Sequence, residues 1–288
     1  MKHLIAFIFV FTAAAAVAQS TKSGNYNLDQ TYPLQSGGTI FLSSSDAKVT
    51  ISGSTRTDVH VKIGREVNTK GWVFGEEEFT VDVTEQGGNL SIKERSRSSH
   101  VGIVGYHYEK YTIDIEAPEG ASLAIKGDDG DYLVRAVHGA IDLDLDDADV
   151  ELVGCLGSDF RVRLDDGDLR MDTGKGTLEL DADDADVRIK NAAFEKIMAA
   201  LDDGDFVVET SLAATGDYFI DSQDGLVSFT VLSGGGKFDI RHDDARVITE
   251  GAFHVVEKSE NRTRLTLGNG NSKVDIRADD ARVRLIRL

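Results

Sequence analysis

Cysteine, proline and tryptophan are nearly missing from this chain: one Cys, two Pro and one Trp in 288 residues. The lone Cys155 excludes an intramolecular disulfide, so stability must come from a buried core or from ions. Long apolar runs are missing after Val17, and no later segment approaches the roughly 20 apolar residues of a membrane-spanning helix. Positive charge is in deficit, with 31 Lys and Arg against 50 Asp and Glu and a net charge of −19. That averaged field repels nucleic acid and anionic lipid and leaves cations and neutral glycans open as partners. Also missing are a nucleophile elbow, a phosphate loop and a zinc motif. His138, His242 and His254 stand singly, without a paired context.

What is present begins with a leader. Met1, Lys2 and His3 precede an apolar run over residues 4–17, and Ala16-Val17-Ala18 supplies an A-x-A site, so a signal peptide over 1–18 is expected. No Cys follows the run, which excludes a lipid anchor. The mature chain is expected to be exported, to the periplasm, the outer surface or the medium, with no transmembrane segment after signal cleavage.

One short string recurs as Asp-Asp followed by Gly or Ala. Taking the last Asp before the small residue as the anchor gives Asp129, Asp147, Asp166, Asp184, Asp203, Asp224, Asp244 and Asp280, spaced by roughly 19 residues with one doubled step. Other columns align with it. Four residues before the anchor stand Ile125, Leu143, Val162, Leu180, Ala199, Ile220, Ile240 and Ile276, and six before stand Leu123, Ile141, Phe160, Leu178, Ile197, Tyr218, Phe238 and Val274. Three and five after it the positions are again apolar, as in Tyr132 and Val134 or Val150 and Leu152. Alternation with period two on both sides of a turn means two strands, each with one buried face.

A unit this short has no room for a βαβ crossover, and its loops are too long for tight hairpins. Parallel stacking of coils remains, so the fold expected is all-β: a single-stranded, right-handed parallel β-solenoid (β-helix) with coils of about 19 residues. Residues 19–37 form a lead segment, 38–120 irregular coils with two loop excursions at 64–78 and 93–109, and 121–288 the regular repeats. The Ala-rich stretch 191–201 favours helix by propensity, but Ile197 and Ala199 occupy strand columns and place it in a strand. One coil near residue 260 has lost the signature.

Three groups of residues are candidate sites. The corner aspartates Asp129, Asp147, Asp166, Asp184 and Asp203 stack at about 4.8 Å. Neighbouring carboxylates then repel by roughly 1 kcal/mol in water and roughly 3–4 kcal/mol at an effective dielectric of 20. Turn capping by the side chains, weak calcium binding and a catalytic cluster are the competing explanations, with capping placed first. Gly and Ala alternate after the anchor, which points to smallness more than to a left-handed backbone. In the fifth and sixth coils the outward positions turn apolar, so Met198, Val207, Phe219 and the nearby Phe194 form a candidate interaction patch. Trp72, Phe74, Tyr106 and Tyr108 lie on the excursions, where they either cap the open end or grip a ligand.

Residues 111–152 (YTIDIEAPEGASLAIKGDDGDYLVRAVHGAIDLDLDDADVEL) resemble the bacterial putative-adhesin family of domains of unknown function with β-strand repeats. The strand ending in Ala117-Pro118-Glu119-Gly120 and the small-Gly-Asp-hydrophobic coils carry the likeness, and the doubled Asp departs from it. The resemblance implies a solenoid, export and an adhesive or envelope role, with no catalytic residues. The expected function is therefore an exported envelope or surface binding module, not an enzyme, whose partner is an envelope protein, a glycan or another copy. No cofactor is expected apart from possible Ca2+. A calcium-responsive scaffold and a glycan-cleaving β-helix enzyme are the alternatives.

Overall fold

The computed structural model describes residues 24–243 and 246–288; the expected signal peptide and the anchor Asp244 lie outside them. All the described strands belong to one sheet, and no helix occurs among the described residues. The chain opens with β1 (Tyr26–Pro33), β2 (Thr39–Ser44), β3 (Ala47–Ser54) and the long strands β4 (Asp58–Gln86) and β5 (Asn89–Pro118). Next come β6 (Ser122–Arg135), β7 (Ile141–Val153), β8 (Asp159–Asp172) and β9 (Lys175–Asp203), each running through a corner. Then follow β10 (Asp205–Ser211), β11 (Asp217–Ser222), β12 (Leu226–Ser233), β13 (Gly236–His242) and β14 (Val247–Glu250). The last four are β15 (Phe253–Lys258), β16 (Arg262–Leu267), β17 (Ser272–Ala278) and β18 (Arg282–Arg287).

From β6 to β9 the coils stack in parallel with the columns in register: Leu123 faces Ile141, Ile141 faces Phe160, and Phe160 faces Leu178. Beyond the corner Tyr132, Val150, Leu169 and Val187 form the matching row. These side chains are buried and join one core that runs from Tyr26 to Leu285. Residues 196–201 of β9 pair with β11, Ile197 opposite Tyr218 and Ala199 opposite Ile220, so the Ala-rich stretch is strand. Burial of every second residue there outweighs helix propensity, which tertiary packing routinely overrides.

The order of the stack differs from the order of the chain at both ends. The coil of β2 and β3 lies between β6 and β5, with Ile40 facing both Leu123 and Leu90. At the other end β17 lies between β11 and β13, and β18 between β12 and β14. The C-terminal coil thus fills a slot between two coils that precede it in sequence. Residues 253–267, the coil that had lost its signature, are not a coil at all. There β16 runs antiparallel to β13 and β15 antiparallel to β16, which closes that row.

The two excursions are not loops. They pair with each other as an antiparallel ribbon of β4 and β5, from Glu66 opposite Lys110 to Phe79 opposite Ser96. Within the lead segment, residues 26–33 form β1, antiparallel to β4. Edge-to-face contacts of Phe79 with Tyr26 and Tyr111, and the Arg65 guanidinium 4.4 Å from the Phe79 ring centroid, seal the amino-terminal end.

The corners show why Gly and Ala alternate. Gly130, Gly167 and Gly204 have φ of 145°, 110° and 117°, whereas Ala148 and Ala185 keep negative φ. A Cβ on Gly167 would lie 2.2 Å from the Ala148 carbonyl oxygen of the adjacent coil, and one on Gly204 2.4 Å from that of Ala185. The glycine corners therefore use left-handed backbone as well as smallness, which corrects the expectation that smallness weighs more. A second column of left-handed residues marks the return, where Ala136, Thr173 and Asn191 have φ of 51°, 72° and 53°. Residues other than Gly hold such angles at a cost of roughly 1–3 kcal/mol.

Two outcomes are expected in thermal denaturation. Gly167→Ala destabilises by at least about 2 kcal/mol, because strain and a backbone clash coincide. Thr173→Gly stabilises by up to about 1 kcal/mol, since it relieves φ and removes a buried, unpartnered hydroxyl. Equal effects from the two changes would contradict this account of the corners. Deleting residues 268–288 should abolish the cooperative transition, because it empties an interior slot; loss of only one coil's worth of stability would contradict the threaded order.

Candidate functional site

Outward positions on the first half of each coil form two rows across the sheet. In one, Ser91, Phe41, Ala124, Asp142, Arg161 and Glu179 are successive neighbours. In the other, Lys93, Ser43, Lys126, Asp144, Arg163 and Asp181 follow one another. Opposite charges alternate and pair: Lys126 to Asp144 at 3.1 Å, Arg161 to Asp142 at 3.4 Å and to Glu179 at 3.3 Å, and Arg163 to Asp181 at 3.4 Å. All these groups face water, so each pair contributes roughly 0.2–1 kcal/mol and chiefly sets register.

At the amino-terminal end of these rows the charges give way to a hollow of about 410 Å³. Phe41, 45% exposed, stands in it between the small Ser91 and Ala124, with Lys93, Lys126 and Asp142 around it. The sequence offers Phe41 no repeat column, because it lies in the irregular coils before the first Asp-Asp anchor. Its residue type is still a signal, since an aromatic at an outward position has no core to fill.

The expected patch in the later coils is only partly assembled. Met198, 41% exposed, is the direct neighbour of the half-buried Phe219, over whose ring centroid Arg277 lies at 5.0 Å. Val207 belongs to the sheet beyond the corner, between Arg188 and Ser228. Phe194 is not on the surface. Its ring packs edge-to-face on Phe160 at 6.0 Å, and its carbonyl accepts the Tyr218 hydroxyl at 2.7 Å. The return segment turns into the core, where an aromatic ring removes more apolar area from water than it could by folding over the face. Of the excursion aromatics, Tyr106 and Tyr108 are exposed on the ribbon, opposite Lys70 and Asn68. Trp72 and Phe74 lie on β4, and their side chains fall outside the described residues.

The corner aspartates form a ridge in which Asp129, Asp147, Asp166 and Asp184 are successive neighbours. No anchor Asp side chain caps its own corner among the hydrogen bonds of the described residues; in the sixth corner it is the Ser222 hydroxyl that bonds the backbone, donating to the Asp224 carbonyl at 3.0 Å. Aspartate caps are not needed, because pairing between coils continues on both sides of the corner and skips only one residue, as at Asp128 and Asp146. One cap joins two coils, where the Asp186 carboxylate accepts the Asp205 backbone N–H at 2.9 Å. Glu94 accepts the Ser45 backbone N–H at 2.9 Å and its hydroxyl at 2.7 Å, holding the first corner. No group of three or more His, Cys, Asp or Glu side chains among the described residues is arranged to hold a metal ion. Partial desolvation, then the hydrogen bond and charge of Asp147, hold the Asp166 carboxyl above the usual range. Asp183 is raised as well, by desolvation and then by the charges of Asp165 and Asp202.

Residues 38–285 match the Toastrack DUF4097 family. The chain belongs to that family. Three solved structures resemble this Toastrack chain at low identity. A "putative adhesin" from Bacteroides fragilis is 12% identical, over 90% of this chain and 97% of that one, with a TM-score of 0.42. A "putative cell adhesion protein" from Clostridium sporogenes is 11% identical, over 91% and 100%, with a TM-score of 0.27. A "putative lipid binding protein" from Parabacteroides distasonis is 11% identical, over 93% and 98%, with a TM-score of 0.32. No curated protein matches the chain. No helix among the described residues is long and apolar enough to cross a membrane.

The ridge gives this Toastrack chain a pH dependence of definite sign. A carboxyl whose folded pKa lies above its unfolded value of about 3.9 favours the fold when protonated. Its contribution is fully present below that unfolded value and is lost as pH rises through the folded pKa. Asp29 and Asp239 act oppositely, held low by His60 and Arg262, and lose their contribution only as pH falls through their folded values, below about 3.9. The thermal midpoint should therefore rise as pH is lowered from neutrality towards the unfolded carboxylate value of about 3.9. Asp166→Asn should raise the midpoint at pH 7 and flatten this slope; an unchanged slope in the variant would remove the ridge as its source.

Proposed function

We propose that the protein is an exported binding module of the cell envelope. It acts without catalysis and presents its outward sheet face to a glycan, an envelope protein or another copy of itself. The observation that carries this reading is the Phe41 hollow. An exposed aromatic ring is held there on strands whose register the charge ladder sets, with polar side chains around it. Rigid elements position a contact surface at low entropic cost, and an aromatic anchor ringed by polar groups is the usual centre of recognition. Membership of the Toastrack family and the leader-like residues 1–18 support the same reading. We read the winding as right-handed and single-stranded with coils near 19 residues, in keeping with the handedness of parallel crossovers.

The test uses the mature chain with Phe41→Glu and, separately, Met198→Glu combined with Phe219→Glu. Binding is measured on a glycan array and on purified envelope fractions, and self-association by sedimentation. Because Phe41 is half out of the core, Phe41→Glu should shift the thermal midpoint by only a few degrees and weaken binding at least tenfold. Wild-type binding by both variants would sink the outward face as the contact surface.

A further inference from the structure

A row of three guanidinium groups crosses the carboxyl-terminal end of the outward face. Arg241 on β13 lies opposite Arg262 on β16 and opposite Arg277 on β17. Directly opposed side chains have Cβ atoms about 5 Å apart, and like charges placed so destabilise a sheet. Two of the three are compensated. Arg262 forks onto both oxygens of Asp239, with Nε 2.8 Å from Oδ1. Arg277 lies 3.6 Å from Asp221 and over the Phe219 ring. Arg241, in the middle, has neither an ion pair nor a side-chain hydrogen bond among the described residues.

The row borders a groove of about 530 Å³, whose walls also carry His242, Asn261, Asp243 and Asp279. His242 places Nε2 3.2 Å from the Thr263 hydroxyl, while its Nδ1 is closed off from water and lacks a partner. A buried polar atom left unpaired is costly and uncommon. Arg241, with no ion pair among the described residues, lines this groove and can fork onto an oxygen-bearing ligand there. In a chain of net charge −19 the row is a local exception to the surrounding field.

We propose that this groove binds a saccharide carrying one singly charged oxyanion per sugar, a uronate carboxylate or a sulfate ester. The proposal rests on the reading of the chain as a binding module. A guanidinium fork matches a planar carboxylate or a sulfate edge through two parallel N–H bonds, which a point charge does not. Asn261 and the carboxylates of Asp243 and Asp279 suit sugar hydroxyls, and those two acids disfavour a doubly charged phosphate. The overall negative field likewise turns away a dense polyanion such as nucleic acid.

Calorimetric titration at fixed ionic strength tests this with four probes: oligogalacturonate, a sulfated galactan fragment, the neutral galactan fragment and inorganic phosphate. Wild type should bind one of the two acidic saccharides and neither of the other probes. Arg241→Gln should weaken that binding at least tenfold, while the ligand-free thermal midpoint stays level or rises because a like charge has gone. Equal binding of acidic and neutral fragments would overturn the proposal. So would phosphate binding as tight as the saccharide, unaltered binding by the variant, or a clear fall in its ligand-free midpoint. If glycan or envelope binding is lost in Phe41→Glu but intact in Arg241→Gln, the groove is excluded and the module reading stands.

Discussion

Everything in this molecule depends on backbone pairing between coils at the spacing of a parallel sheet, about 4.8 Å. At that distance each inward side chain packs on the like position of the next coil, so columns of Ile, Leu, Val and Phe become one core. The same distance brings outward side chains close enough for charge pairs, and corners close enough for a Cβ to strike a neighbouring carbonyl. Core, ladder and corner are three consequences of one separation. Because pairing runs through the corner, the corner's backbone is satisfied between coils, which frees its aspartates from capping. Their mutual repulsion is then an expense of the fold that protonation reduces.

Much of this was legible in the residues. Fixing the anchor at Asp129 and its equivalents aligned four inward columns, six and four residues before it and three and five after it, and it placed 191–201 in a strand against its helix propensity. The buried column two before it, with Leu145, Leu164 and Leu201, was not among them. Stack order was not legible, because a column records which face a residue takes and not which coil lies beside it. Ile40 fits against Leu90 as well as against Leu123, and only the folded chain shows that it meets both. The Gly/Ala alternation was visible, but its cause needed backbone angles that a sequence does not state.

The candidate sites divide in the same way. Met198 and Phe219 occupy outward columns and do become neighbours on the face. Phe194 lies in a return segment, outside any column, where periodicity gives no direction, and the core claims it. Arg241 and Arg277 share a column, but the repeat spacing puts a further coil between them, and only the placement of β17 beside β13 makes them neighbours. Arg262 reaches them through an antiparallel strand, which a repeat of parallel coils could not anticipate.

The placement of β17 and β18 within the stack bears on how the chain withstands force. A strand at the edge of a sheet can be unzipped, one hydrogen bond after another, by pulling on its free end. Arg287 ends a strand with β12 on one side and β14 on the other along most of its length, so tension applied there must strain two ladders together. The amino-terminal coil is flanked in the same way by β5 and β6. The strands paired on one side among the described residues, such as β1, β14 and β15, lie outside these two coils, so neither coil can be peeled away along a single ladder.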